Sequence, residues 1–150
     1  GTRDFMTEIV EGASEADADL RSDEQTTFSS DDNVLLQGIA NEKYSIGFFG
    51  YAYYVHNTDK VKAVAIVNDQ GVAVLPEDHT VSDGTYNPLS RPLYIYVNNA
   101  SLTGKPQVAA FVDYFFTPEG AQAIMSDVGY SLPPEGTYAD NIARMNEIVK

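Results

Sequence analysis

The chain has 150 residues and a formal net charge of −13 at neutral pH. This length supports one domain with a core or two small lobes, and the acidic balance argues against nucleic acid or anionic membranes as partners, because their phosphates need Lys and Arg. Cysteine is absent, which excludes disulfides, thiolate metal sites and a cysteine nucleophile, and no apolar run approaches the ~18 residues of a membrane span.

The first part of the chain predicts two amphipathic helices joined by a polar stretch. Thr2 can cap a helix over residues 3–11, whose apolar side chains recur at i,i+4 spacing. Residues 12–30 are rich in Ala, Ser, Asp and Glu, which predicts a surface loop. Ser29 or Ser30 can then cap the second helix, which has two aspartates in its first turn.

The middle of the chain is rich in residues that favour strands. The predicted strands span residues 44–49, 61–67 and 89–97, with a short helix over 51–56. Pro92 has no backbone N–H, so the third strand either lacks a partner at that point or enters a sheet there. We therefore expect residues 88–98 to cross between two lobes.

The residue pattern in the last third of the sequence predicts helices. Pro106 suits the first turn of one helix, and Thr117 followed by Pro118 suits the start of the next. Thr137 and Asp140 have the spacing of a capping box at the start of the last helix. The alternation of strands and helices along the chain predicts an α/β fold.

The residue types that most often carry catalysis occur in this chain without the neighbours that catalysis needs. His56 and His79 are the only imidazoles, and neither has a serine in a nucleophile-elbow context. No acidic group has the spacing of a calcium loop. The acidic pairs at helix starts suit the helix dipole: Asp31-Asp32 and Glu77-Asp78. We predict no catalytic residue, no metal ligand and no cofactor.

Two places in the chain have groups that suit an anion. Arg91 stands beside Pro92, where an ion-paired anchor for a crossing strand is favoured over a ligand contact. Gly1 and Thr2 stand at a helix start, where N–H groups and the dipole favour an anion and the Thr hydroxyl adds a donor. Any capped helix offers this chemistry, so the second place depends on what surrounds it.

Five segments follow one another in an order that resembles a known family: GTRDFMTE, SSDDNVLLQGIANEKYSIGFFGYAYY, KAVAI, GTYNPLSRPLYIYVN and VAAFVDYFFTPEGAQAIMSDVGYSLPP. Over essentially the whole chain they resemble the C-terminal half of the periplasmic phosphate-binding protein of bacterial ABC transporters. The most specific parts are IGFFGYAYY and PLSRPLYIYV.

The resemblance implies part of an α/β fold of the type II periplasmic-binding-protein class, with two lobes joined by crossing strands. Residues 1–88 would form the later part of lobe two, and residues 89–150 the crossing strand and the C-terminal helices that return to lobe one. Gly1 and Thr2 match the end of the family's Ser-Gly-Thr phosphate-binding loop. The loop's Ser, an Arg and a proton-accepting Asp would precede residue 1.

The function that the resemblance implies is non-enzymatic. We expect a periplasmic or extracytoplasmic protein that captures inorganic phosphate and delivers it to an ABC permease in the membrane. Neither lobe would be complete, so we expect the missing N-terminal half, or a second copy by swapping, as a further partner, and no nucleic acid. The alternatives are a binding protein for another oxyanion such as sulfate, a secreted phosphatase-like enzyme, and an adhesin-like protein on the same fold.

Overall fold

The computed structural model describes residues 2–11, 23–123 and 127–149. Residues 12–22 of the predicted surface loop therefore lie outside the described residues. Within these ranges, none of the helices combines the length and the apolar character needed to cross a bilayer.

The chain folds as two compact units, and each takes residues from two parts of the sequence. The first consists of Gly1–Pro76 and Tyr86–Leu89, and the second of Glu77–Thr85 and Ser90–Lys150. The assignment of residues 1–88 to lobe two and of 89–150 to the crossing strand and lobe one stays a prediction.

The first unit combines helices with a small hairpin. Its elements are α1 (Thr2–Glu11), α2 (Asp32–Asn41), α3 (Tyr51–Val55), β1 (Ile66–Val67) and β2 (Ala73–Val74). Asp31, rather than Ser29 or Ser30, is the N-cap of α2, because its Oδ1 accepts from the N–H of Asn33 at 2.9 Å. The hydroxyl of Ser29 instead accepts from the N–H of Asp31 at 3.0 Å.

The two strands of the hairpin are antiparallel, with Ile66 opposite Val74. The buried side chain of Asn68 holds the turn, since its Oδ1 accepts from the N–H of Val72 at 3.0 Å. Gly71 has a φ of 76°, a conformation that a residue with a Cβ rarely adopts. Of the predicted strand over residues 61–67, only the last two residues are paired.

The two other predicted strands are not strands in the structure. Residues 44–49 and 91–97, here called the extended segments, have no ladder pairing within the described part of the chain. Most of their apolar side chains are exposed to solvent: Tyr44 is 85% exposed, Ile46 82%, Leu93 70% and Tyr96 92%. The residue pattern suits a buried strand, but the described residues supply no neighbouring strand to pair with it.

The second unit is helical. Its elements are α4 (Asp78–Ser82), α5 (Asn99–Gly104), α6 (Pro106–Phe115), α7 (Pro118–Gln122) and α8 (Thr137–Val149). The predicted starts of α6 and α7 are confirmed, with Pro106 and Pro118 in the first turns and Thr117 Oγ1 accepting from the N–H of Gly120 at 3.1 Å. The prediction that Thr137 caps α8 is wrong, because the carbonyl of Gly136 already accepts the N–H of Asp140 at 3.0 Å.

The core of the second unit lies where α5, α6 and α8 meet. Leu102, Val112 and Met145, one from each helix, are its buried residues. Phe116 packs against this core, and its ring lies 5.5 Å from that of Tyr138. Burial of side chains from three helices stabilises this unit through the hydrophobic effect.

Leu102 and Leu93 allow the same substitution to be compared in a buried and an exposed place. We expect Leu102→Ala to lower the free energy of unfolding by ~3 kcal/mol, because it removes buried apolar surface and leaves a cavity. Leu93→Ala should change it by less than ~0.5 kcal/mol in the isolated chain. Urea denaturation followed by circular dichroism measures both. Equal effects would contradict the placement of Leu102 in the core.

Candidate functional site

A cleft of about 380 Å³ in the first unit lies at the start of α1. It is lined by residues from α1, from the loop before α2, from α2 and from the first extended segment: Thr2, Arg3, Asp4, Ser29, Ser30, Asp32, Leu35 and Phe48. Of the two residues predicted to bind phosphate, Thr2 lines this cleft, and Gly1 lies outside the described residues.

The side of the cleft formed by α1 has the chemistry of an anion site. A helix of ten residues directs the N–H groups of its first turn and the positive end of its dipole out of its N-terminus. Thr2, the first residue of α1, is exposed and adds a hydroxyl to these groups. This arrangement can donate several hydrogen bonds to one oxyanion.

Another part of the cleft lining comes from the loop before α2. At the N-terminus of α2, the side-chain carboxylate of Asp31 already accepts a hydrogen bond from the backbone. Ser29 uses a lone pair to accept from the N–H of Asp31, and a hydroxyl that accepts one bond keeps its proton for donation. Asp32 Oδ2 accepts from the N–H of Gly50 at 3.4 Å, which connects α2 to the end of the first extended segment.

Arg3 contacts a residue of this loop. Its guanidinium carbon lies 4.3 Å from the centroid of the Phe28 ring, within the range of a cation–π contact. Neither Arg3 nor Phe28 is among the residues predicted from the sequence, and Ser29 and Ser30 are predicted there only as candidate caps. A contact between residues 25 positions apart leaves no local pattern in the sequence. The position of an arginine directly after Thr2 is a sequence feature that could have identified Arg3 as a residue of the cleft.

The charge in the cleft is mixed rather than strongly positive. Asp4 and Asp32 line it together with Arg3. An anion held here depends on directed hydrogen bonds, which act at contact distance, more than on the field of the whole acidic surface, which salt screens within about 8 Å.

Arg91 and the two histidines, also weighed as site residues from the sequence, are not among the residues that line this cleft. Arg91 is exposed in the second unit, and His56 is exposed at the C-cap of α3. His79 Nδ1 lies 3.4 Å from Glu77 Oε2 in an exposed pair. Across residues 2–11, 23–123 and 127–149, no group of three His, Cys, Asp or Glu is placed to hold a metal ion.

A second groove, of about 360 Å³, runs along another side of α2. Two of its polar side chains make local hydrogen bonds: Lys60 Nζ donates to Asn57 Oδ1 at 2.7 Å, and Asn57 Nδ2 donates to the carbonyl of Tyr53 at 2.8 Å. The cleft at α1 contains Thr2, one of the two residues predicted to bind phosphate, and is therefore the better candidate for a ligand.

The chain matches a known superfamily over most of its length. A sequence profile of the PBP superfamily domain covers residues 1–119. The chain therefore belongs to the PBP superfamily, and the predicted periplasmic-binding-protein-like fold is confirmed.

Individual proteins show which members of the superfamily the chain resembles. Protein SphX of Synechococcus elongatus is 38% identical over 138 residues, which cover 92% of this chain and 38% of that protein. Phosphate-binding protein PstS of Staphylococcus haemolyticus is 35% identical over 150 residues, 100% of this chain and 44% of that protein. The resemblance to phosphate-binding proteins, predicted from the sequence, is confirmed.

The chain is also similar to a solved structure of this kind. "A possible phosphate binding protein from Planctomyces limnophilus" is 36% identical, with a TM-score of 0.72 over 98% of this chain and 50% of that one. The chain thus spans half or less of the length of these relatives.

The cap of α2 shapes one wall of the cleft and can be tested directly. We expect Asp31→Ala to reduce the free energy of unfolding by about 1 kcal/mol, because the N–H of Asn33 loses its acceptor. Asp31→Ser should retain most of the stability, since Ser is an equally good cap. Thermal unfolding of the three proteins measures this. If Ser destabilised the chain as much as Ala, the cap would not be the reason.

Proposed function

We propose that this chain forms one wall of the binding site of a protein that captures inorganic phosphate for uptake by an ABC transporter. The observation that carries the proposal is the position of Thr2. It begins α1 and lines the cleft at the N-terminus of that helix. The similarity to a phosphate-binding protein over 100% of the chain supports the same function.

The proposed ligand residues are Gly1 and Thr2. Backbone N–H groups at the start of α1 and the hydroxyl of Thr2 would donate to phosphate oxygens, with the dipole of α1 favouring the negative charge. Hydrogen bonds to a charged acceptor are about twice as strong as neutral ones. They can therefore hold an anion although the chain carries a net charge of −13.

Capture without chemical change fits this site better than catalysis. The exposed His79–Glu77 pair belongs to the second unit, whereas the cleft belongs to the first unit and offers the hydrogen-bond donors of a helix start. We place the protein outside the cytoplasm, with phosphate and an ABC permease as its partners. The acidic surface disfavours nucleic acid.

The proposed lobes are residues 1–88, the later part of lobe two, and residues 89–150, the crossing strand and the helices of lobe one. The extended segments expose apolar side chains in each unit, and an open strand edge invites pairing. The part of the family fold that this chain does not span would cover them. A second copy that swaps the same elements is the alternative.

The role of Thr2 is tested by Thr2→Val, which keeps the shape of the side chain and removes the hydroxyl. Half a site should bind inorganic phosphate with a dissociation constant of about 1 mM, corresponding to ~4 kcal/mol. We expect Thr2→Val to weaken this binding about tenfold, the effect of losing one hydrogen bond to a charged group. Chemical shift changes of the ¹⁵N-labelled chain during phosphate titration measure the affinity.

Two controls make this test specific. Thr2→Ser keeps the hydroxyl and should bind like the original chain. Sulfate, titrated in the same way, separates a phosphate protein from one for another oxyanion. Equal binding by the Val variant would remove Thr2 from the site, and tighter binding of sulfate would favour the alternative ligand.

A further inference from the structure

We propose that the outer face of α6, formed by Phe111 and Tyr114, is a docking surface for a β-sheet. This sheet comes from the part of the family fold that lies outside these 150 residues, and the second extended segment is one of its strands. The inference rests on the proposed lobe of residues 89–150. It adds a helix face to the surfaces that the rest of the family fold covers.

The apolar side chains of α6 cover more of the helix surface than one neighbouring layer can bury. Successive residues of an α-helix are rotated by about 100°, because one turn holds about 3.6 residues. On this basis the large apolar side chains of α6 span an arc of about 160°. They are Val108, Phe111, Val112, Tyr114 and Phe115. A stripe of about 100° is enough for a helix that packs on one side only.

One side of this arc is covered within the second unit, and the other is open. Val108 and Val112 pack in the core of the unit, together with side chains of α5 and α8. Phe111 is 65% exposed and Tyr114 52% exposed. Contact of such large apolar surfaces with water is unfavourable. A second apolar layer on this side of α6 would remove that contact.

The second extended segment indicates that this layer is a sheet. Successive side chains of an extended chain point to opposite faces, and four successive residues of this segment are apolar and exposed: Leu93, Tyr94, Ile95 and Tyr96. A strand that is apolar on both faces belongs inside a sheet that helices cover on each side. Val97, which ends the segment, packs against the core that α6 borders. A sheet built on the segment therefore starts beside this core, which makes α6 one of the helices that cover it.

The length of the relatives identifies the source of the other strands. Because the chain spans half or less of each, the family fold contains at least as much chain again. That length is sufficient for a sheet of several strands, since a strand takes only about 5–6 residues. A second copy of this chain is a poorer occupant, because the described part of the chain pairs only the hairpin of β1 and β2 and offers no sheet.

The test is isothermal titration of the chain with the half of the Planctomyces limnophilus protein that it does not match. We expect the original chain to bind this half, and Phe111→Ser to bind it at least about tenfold more weakly, because a buried aromatic side chain is a typical anchor of an interface. Phe111→Leu keeps an apolar side chain and should bind more tightly than the Ser variant. Ala110→Ser is the matched control: it introduces the same residue at an exposed neighbouring position outside the arc. It should change the affinity by no more than about twofold.

Thermal unfolding of the chain alone separates a docking surface from a role in the core. Phe111→Ser should shift the Tm of the isolated chain by less than about 2 °C, because substitutions on the surface change stability little. A much larger loss in the chain alone would show that Phe111 stabilises the second unit itself, and it would overturn the docking role.

The remaining outcomes concern the occupant. Equal binding of the half by Phe111→Ser and by the original chain would contradict the proposal, and so would a failure of the original chain to bind the half. Sedimentation velocity of the chain alone checks the second copy: a dimer that Phe111→Ser dissociates would make another copy the occupant. Phosphate binding by the chain is a separate measurement, so the proposed function can fail while the result for Phe111 stands, and the reverse.

Discussion

An apolar strand is stable only when its backbone is hydrogen-bonded along its edges and its side chains are covered. The extended segments, residues 44–49 and 91–97, meet neither condition within the described part of the chain. Each holds side chains such as Tyr44 and Tyr96 almost fully in water, at 85% and 92% exposure. The sequence contains clear strand patterns, but a strand needs such a cover to form. In the described part of the chain, only the short hairpin of β1 and β2 is therefore paired.

The cleft at the start of α1 depends on the same requirement. Phe48, in the first extended segment, lines the cleft, and the N–H of Gly50, directly after that segment, donates to Asp32 of α2. Covering the segment would therefore fix one wall of the cleft and the carboxylate that faces it. Local caps organise the helices on either side, whereas the wall formed by the first extended segment lacks strand pairing within the described part of the chain.

The features that the sequence predicts well are those set by neighbouring residues. Pro106 and Thr117 identify helix starts because their effect acts within one turn. The strand pattern of residues 44–49 is visible in the sequence, but pairing depends on distant partners that a local pattern does not contain. The contact of Arg3 with Phe28 is missed for the same reason. The proposed class of ligand comes from the resemblance to a known family, because composition alone does not indicate it.

Hydrogen exchange of the backbone amides in residues 44–49 and 91–97 tests the central claim most directly. The measurement compares the chain alone with the chain mixed with the half of the Planctomyces limnophilus protein that it does not match. We expect rapid exchange in the chain alone and protection of at least about a hundredfold in the mixture, since ladder hydrogen bonds exchange only after opening. Strong protection in a monomer of the chain alone, or none in the mixture, would contradict the claim that these segments need a cover from outside the chain.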